Sequence, residues 1–447
     1  MVSIFLAMGC VGVMVDLDQG LIADLQARGL VAQMTGENAV IEHLTERRTL
    51  YCGFDPTADS LHIGSLVPLL ALRRFQLAGH KPIALIGGAT GLIGDPSFKA
   101  QERQLQTADV VATWSERLRA QAERFVDFDA GSNAAEIANN LDWMQGISAL
   151  DFLRDVGKHF AVNAMIQKES VKNRIEREGE GISYTEFSYM LLQSYDFVEL
   201  NKRYGCTLQI GGSDQWGNIT GGVDLVRRMN RAQSYGLTLP LITKSDGAKF
   251  GKTESGTIWL DPAKTSPYMF YQFWMSTTDE DVHRFLRYFT FLPLKDLIEI
   301  EREDSGMQGR KSGQAILARE VTRLVHGEEG VEAAERISTA LFSGALDSLR
   351  EEDLAQLAMD GMPSTELQGG EVALMEVLVS SGLAVTPRGE VTQGQARKFI
   401  REGAVRINGE QCKDEACVLS CKDGYYGRYH VLKRGKKNFH LLRWLEN

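Results

Sequence analysis

The 447-residue chain predicts an α/β protein: an open parallel-sheet domain, then an all-α unit, then a small α+β module. Three observations predict this. Between residues 50 and 100, short apolar runs alternate with helical patterns and end in glycine-rich loops. After about residue 265 the apolar spacing becomes helical. Charge then separates along the chain: Arg388 to Asn447 carries 13 Lys/Arg against 7 Asp/Glu, while the other 387 residues carry 36 against 52. The whole-chain net of −10 therefore averages an acidic body with a basic tail. With 43% hydrophobic and 24% charged residues, disordered, collagen-like and disulfide-dense classes are excluded.

Residues 1–15 form an uncharged apolar run without a basic start, too short to span a bilayer. They read as part of an N-terminal extension over 1–20, or as a translation start placed too far upstream, with Met14 the alternative. Leu50-Tyr-Cys-Gly-Phe54 reads as a buried strand, Leu66 to Leu77 as a helix, and Pro82 to Gly87 as a second strand leading into the loop Gly88–Asp95. Helical stretches are expected at about 102–130 and 146–200, and a strand at Thr207–Ile210. The parallel domain thus covers 21–240, with a basic loop and linker at 241–265. Residues 266–345 form the all-α unit, with helices from Ser312 to Gly327 and over 330–342. Residues 346–385 read as a connector and 386–447 as the tail module. In the tail, Thr392-x-x-Gln395 opens a helix with a capping-box pattern, Gly403 stops it, and Val405–Ile407 enters a type I′ turn at Asn408-Gly409. Six scattered cysteines suggest reduced thiols and a cytoplasmic setting, and Cys412, Cys417 and Cys421 lack zinc-finger spacing.

The common nucleotide fingerprints are absent. No G-x-G-x-x-G occurs, and Gly251-Lys-Thr253 lacks the first glycine of a P-loop, since Asp246 stands there. Two other signatures occur in order on either side of the α/β segment: Leu61-His-Ile-Gly-Ser65 and Lys249-Phe-Gly-Lys-Thr253. They resemble the HIGH and KMSKS motifs of class I aminoacyl-tRNA synthetases. Tyr51-Cys-Gly-Phe-Asp-Pro-Thr57, Gly87 to Ser97, Tyr189-x-x-x-Gln193-x-x-Asp196 and Gly211 to Asn218 narrow the resemblance to the bacterial tyrosyl branch, from about Leu21 onward. It implies a Rossmann-like class I catalytic domain, an α-helical domain on the anticodon side, and an S4-like RNA-binding domain at 386–447.

The chemistry so implied is attack of an amino-acid carboxylate on the α-phosphorus of ATP, followed by transfer to the terminal adenosine of a tRNA. No proton must move in the first step, so the protein aligns reactants and neutralises phosphate charge. Lys249 and Lys252, with the Thr253 hydroxyl, suit the leaving pyrophosphate. The resemblance adds Thr57 and His62 on the γ-phosphate side, and Lys99 and Arg103 on a second loop. Gly53 and Gly64 would let backbone approach the nucleotide. Asp55, Ser65 and Asp214 complete the ATP side, and Gln215 the tyrosine end of the adenylate. Tyr51 and Asp196 are implied to grip the phenol hydroxyl, while Asp95, Tyr189 and Gln193 take the α-amino group. Buried polar groups satisfied only by that hydroxyl are how such a site rejects phenylalanine, and tyrosyl-tRNA synthetases are the standard example. Asn139 either lines this site or caps a turn.

Each residue also has a structural reading: Tyr51 as a core aromatic, His62 as a helix-start residue, Asp196 as a solvated helix position. The ordered set as a whole weighs against these. Ser65 replaces the second histidine of the first signature, and Pro68 follows in the first helical turn. In the tail, Arg397, Lys398, Arg401, Lys436 and Lys437 are placed to meet RNA phosphates. The expected partners are tRNA(Tyr), L-tyrosine, ATP accompanied by Mg2+, and a second copy of the chain, with no membrane and no protein-ligated metal. A tryptophanyl relative and a non-catalytic RNA-binding relative are the alternatives. The Tyr51/Asp196 pair and the S4-like tail argue against the first, and Lys249, Lys252 and Thr253 against the second.

Overall fold

The computed structural model describes residues 20–95, 106–168, 171–172, 175, 181–245, 247, 250–253, 256–307, 312–386, 389–435 and 438–445. The N-terminal run, Lys99, Arg103, Lys249, Lys436 and Lys437 lie outside the described residues. Contacts divide the chain into two compact units, Met1–Asp261 with Thr278–Gly313, and Pro262–Thr277 with Gln314–Asn447. The helical segment expected as one unit at 266–345 is thus shared between the two. No helix among the described residues is long and apolar enough to cross a membrane.

The first unit is built on a six-stranded sheet: β1 (Gln33–Met34), β2 (Thr49–Phe54), β3 (Lys81–Ile86), β4 (Glu136–Asn139), β5 (Cys206–Gly212) and β6 (Tyr235–Leu239). Its order is β1-β6-β5-β2-β3-β4, and every neighbouring pair is parallel except β1 with β6. Leu50, Tyr51, Ile83, Ala84 and Leu208 are buried, as continuous apolar runs covered on both faces should be. The Leu66–Leu77 helix follows β2 as expected, entered through a short 3-10 turn at Ile63–Ser65. The Tyr184–Tyr204 helix starts on Ser183, whose side chain accepts the Glu186 N–H, and stops at Gly205 in the left-handed conformation.

Three strands of this sheet, the two-residue β1 together with β4 and β6, are not among those the sequence predicts. Glu136-Ile-Ala-Asn139 is a short, half-polar edge, and the Tyr235–Leu239 run is interrupted by Gly236 and Thr238, so neither presents an apolar block. Of the helical stretches expected over 146–200, the described residues form a string of short turns from Ala149 to Ile166 and the Tyr184–Tyr204 helix. The stretch at 102–130 supplies one helix, Ala108–Ala122. A two-residue hairpin, β7 (Lys252–Thr253) with β8 (Gly256–Thr257), carries the second signature.

In the second unit the helix Gly313–Ser343 bends at Gly327, whose φ of 74° and ψ of −179° interrupt it where the sequence breaks. The tail forms a five-stranded sheet of β9 (Ser364–Gln368), β11 (Val405–Ile407), β12 (Glu410–Cys412), β14 (Tyr429–Arg434) and β15 (Asn438–Leu445), in the order β12-β11-β14-β15-β9. A separate pair joins β10 (Glu371–Ala373) to β13 (Val418–Ser420). The helix Gln393–Arg401 begins with Thr392 accepting the Gln395 N–H, and the hairpin turns on Asn408 and Gly409 at φ 51° and 89°, a type I′ geometry. Residues 346–385 are not a mere connector. β9 pairs with β15, and Leu374, Val377 and Leu378 share a core with Ala396, Ile400 and Trp444. The alternating polar sequence of β9 conceals it, because only its inner side is covered.

Candidate active site

The carboxyl ends of β2, β3 and β5 open on one cavity of about 410 Å³, the place where parallel α/β sheets hold ligands. Tyr51, Gly53, Asp55, Thr57, His62, Gly64, Ser65, Asp95, Tyr189, Gln193, Asp196, Asp214 and Gln215 all line it. The backbone of Lys252 and Thr253 lies in β7, and their side chains are outside the described residues.

At the closed end, Asp196 is 1% exposed on the Tyr184–Tyr204 helix. Its Oδ1 accepts the Trp143 indole N–H at 2.8 Å and its Oδ2 accepts an Asn140 amide N–H at 3.0 Å. Burial outweighs these two donors and pushes the carboxyl up to about 8. Tyr51 is fully buried, edge-on to Phe197 at 5.2 Å, and its hydroxyl has no hydrogen-bond partner among the described residues. Burial first, and the Asp196 charge second, hold that phenol well above the usual range. An unpartnered buried hydroxyl costs roughly 1–3 kcal/mol. Gln209 on β5 repeats the situation: its side chain is 3% exposed, it lines the cavity, and its Oε1 is also unpartnered among the described residues. A ligand with a polar tip can satisfy what the protein leaves open here.

A buried chain of hydrogen bonds runs outward from this end. The Asn140 amide that reaches Asp196 also donates to Thr90 Oγ1 at 3.0 Å, and its Oδ1 accepts the Ala89 N–H at 2.7 Å. The Thr90 hydroxyl donates to Asp55 Oδ1, and the Tyr189 hydroxyl donates to Asp55 Oδ2, each at 2.7 Å. Gly87 permits this approach: a Cβ there would stand 2.0 Å from Asp55 Oδ1. Tyr189 therefore meets the cavity already bound to Asp55, and its phenol is held well above the usual range by burial first and the Asp55 charge second.

Across the cavity two acids share one amide. Gln215 Nε2 donates to Asp95 Oδ2 at 2.7 Å and to Asp214 Oδ2 at 3.1 Å, and Asn218 Nδ2 donates to Gln193 Oε1 at 3.0 Å and to Gln215 Oε1 at 3.1 Å. Burial raises the Asp214 carboxyl, and the Asp95 charge adds to this. Two carboxylates joined by a single neutral donor suit a cationic ligand group.

The outer end is open. Thr57, Gly53 and His62 are exposed, and a Cβ on Gly53 would meet nothing within 4 Å. His62 caps the 3-10 turn, its Nδ1 accepting the Gly64 N–H at 3.0 Å. Gly64 has a local reason to be glycine, since a Cβ would sit 2.8 Å from the His62 ring. The first signature is tied by backbone to the segment that follows the second: the Ile63 N–H donates to Ile258 O at 2.9 Å and the Leu260 N–H to Leu61 O at 2.9 Å, while the Ile258 N–H donates to Gly251 O at 3.0 Å. Phe250 is anchored by Phe285 and Phe289, at centroid distances of 5.2 and 5.4 Å.

Sequence reasoning missed Asn140, Trp143, Thr90 and Gln209. Asn139, one residue from the important one, accepts the Leu141 N–H at 3.0 Å and caps a turn. In the tail, Arg397, Lys398 and Arg401 are exposed on the Gln393–Arg401 helix, with Lys398 3.9 Å from Glu402 and Arg401 paired to Glu415.

The profile of the family described as tRNA synthetases class I (W and Y) matches residues 43–343, and that of the tyrosine–tRNA ligase SYY-like C-terminal domain matches 353–442. A tyrosine–tRNA ligase of Aliivibrio fischeri (strain MJ11) is 65% identical over 425 residues, covering 95% of this chain and 98% of the relative. One from Escherichia coli O139:H28 is 57% identical over 425 residues, 95% of this chain and 99% of the relative. The crystal structure of a C-terminally truncated Aspergillus nidulans mitochondrial tyrosyl-tRNA synthetase is 30% identical with a TM-score of 0.64, covering 72% of this chain and 94% of that one.

Proposed function

The chain belongs to the class I tyrosine–tRNA ligases, and from that premise we propose that it activates L-tyrosine with ATP, releasing pyrophosphate, and transfers the tyrosyl group to the terminal adenosine of tRNA(Tyr). The observation that carries the reading is the closed end of the cavity, where the unpartnered Tyr51 hydroxyl and the buried Asp196 carboxyl stand ready for a phenol. Phenylalanine would leave the Tyr51 hydroxyl unsatisfied, which is how a buried polar site discriminates.

In this reading Asp95 takes the ammonium of tyrosine, with Gln193 and with Tyr189 as Asp55 holds it. Asp214 and Gln215 take the ribose and the tyrosine end of the adenylate. Thr57, His62, Lys249, Lys252 and Thr253 face the β- and γ-phosphates, and Gly53, Gly64 and Ser65 border the nucleotide. The carboxylate of tyrosine then lies in line with the α-phosphorus, and alignment plus charge neutralisation carries the step. Mg2+ accompanies ATP and neutralises its phosphates. Arg397, Lys398, Arg401, Lys436 and Lys437 contact the tRNA backbone, and the reaction takes place in the cytoplasm. Exposed apolar side chains at Leu150, Leu153, Val162 and Tyr184, with Leu150 79% and Tyr184 71% exposed, favour a homodimer that covers them.

Pyrophosphate exchange into ATP tests the reading. Exchange that depends on tyrosine is expected, whereas tryptophan-dependent exchange, or none, refutes it. Removing the tail should spare exchange and abolish tRNA charging. The cut belongs between Ser343 and Arg350, because a cut at 386 strands β9 without its partner β15. Full charging by the truncated chain would show that the tail is dispensable.

A further inference from the structure

The tail module holds three free thiols that the proposed reaction does not use, Cys412, Cys417 and Cys421, and the first two share one turn. Cys412 ends β12, Cys417 immediately precedes β13, and the turn between them draws both onto a single carbonyl. The Cys412 thiol donates to Asp414 O at 3.7 Å and the Cys417 backbone N–H donates to the same oxygen at 3.3 Å. The Asp414 carboxylate tightens this turn by accepting the Ala416 N–H at 2.9 Å. Both cysteines are free and half-buried, and both pack against the core made by Leu378, Val405 and Trp444. Cys52 and Cys206, by contrast, are buried within β2 and β5 of the first unit. We propose that Cys412 and Cys417 are a modification site: a vicinal thiol pair that forms a reversible intrachain disulfide with a low-molecular-weight disulfide as oxidant.

The exchange balances without any group the proposal does not name. The Cys412 thiolate attacks one sulfur of the small disulfide and expels one thiolate, leaving a mixed disulfide. The Cys417 sulfur, as thiolate, then attacks Cys412 Sγ and expels the second thiolate. Two protein thiols lose two protons and two electrons, and the small disulfide becomes two thiols. The order follows from surroundings: burial first, and the neighbouring Cys412 second, push the Cys417 thiol up, so it enters second, where the reaction is intramolecular. Closure locks the turn that carries Glu415, the acid paired with Arg401 on the neighbouring helix.

The test is intact-mass analysis and peptide mapping of the full-length chain, equilibrated with reduced and oxidised glutathione at graded ratios. The expected result is a loss of two hydrogens mapped to a Cys412–Cys417 link, restored by dithiothreitol. Cys421→Ser should still form that link, and Cys417→Ser should give only a glutathione adduct on Cys412. A wild-type chain that takes up glutathione adducts alone, or links either residue to Cys421, overturns the proposal. Tyrosine-dependent exchange of the same samples reports separately on the catalytic reading.

Discussion

The two ends of the catalytic cavity are built on opposite plans. At the closed end, Tyr51, Asp196, Asn140 and Gln209 are at most 3% exposed and fixed by strand and helix. At the outer end, Thr57, Gly53 and His62 are exposed, and Thr57 and His62 lie on the connection between β2 and the helix that follows it. The contrast follows from what each end must recognise. A phenol is small and neutral, so discrimination depends on pre-placed, water-free partners whose hydrogen bonds are left incomplete. A triphosphate is large and charged, and is met by cations that can stay hydrated until it arrives. One end spends stability on selectivity, and the other defers its interactions to the moment of binding.

The largest expected effect attacks the closed end. Asp196→Ala removes the acceptor of Trp143 and Asn140 and the acid expected at the ligand hydroxyl. Loss of the ligand hydroxyl's hydrogen bond to that acid, worth about 3 kcal/mol, should lower kcat/KM for tyrosine in pyrophosphate exchange roughly a hundredfold. Phenylalanine should suffer far less, and an equal loss for both amino acids would show that this end does not read the hydroxyl. Tyr51→Phe should cost about tenfold in the same assay while raising the stability of the empty chain by about 1 kcal/mol, since it deletes an unpartnered buried hydroxyl. A lower melting temperature for this variant would mean that the hydroxyl is already satisfied. At the outer end, Gly64→Ala forces the His62 ring aside and should lower kcat about fivefold with the KM for tyrosine unchanged. A changed tyrosine KM would mean that the two ends are coupled.

A further test is in pH. Asp196 has its carboxyl raised from 3.8 to about 8 in the fold. Between those values the native chain holds a proton that the unfolded chain has released, so this group makes stability fall as pH rises from about 4 to about 8. Melting curves of the empty chain across that window should show the decline, and Asp196→Asn should flatten it. A wild-type curve that rises through the window would place Asp196 as an ionised carboxylate.

Most of the cavity was legible in sequence because its residues sit in ordered motifs at the ends of strands. Tyr51, Asp95, Asp196 and Gln215 line one cavity, as the resemblance to the tyrosyl branch implied. What was hidden is the set of residues that act through others. Asn140 and Trp143 reach Asp196 from a short helix after β4, a strand too brief and polar to announce itself. Gln209 is the one amide side chain in a strand otherwise of small and apolar residues and a threonine, and that oddity is the available signal. His62, expected beside the nucleotide, is also the helix-start residue that its structural reading offers, tying down its own turn. The tail was read well where backbone geometry is written in residue types, as at Asn408-Gly409, and poorly where pairing is distant, as for β9.

That distant pairing bears on how the chain is made. Of the five strands in the tail sheet, β15 lies between β14 and β9 and is translated last, so β9 leaves the ribosome with neither edge occupied. An apolar strand waiting through the synthesis of β10 to β15 would invite pairing with another nascent chain. Ser364-Thr-Glu-Leu-Gln368 offers one large apolar side chain and one charge, a poor template for such association. The same polarity that obscured the strand in the sequence protects it until its neighbour has been synthesised.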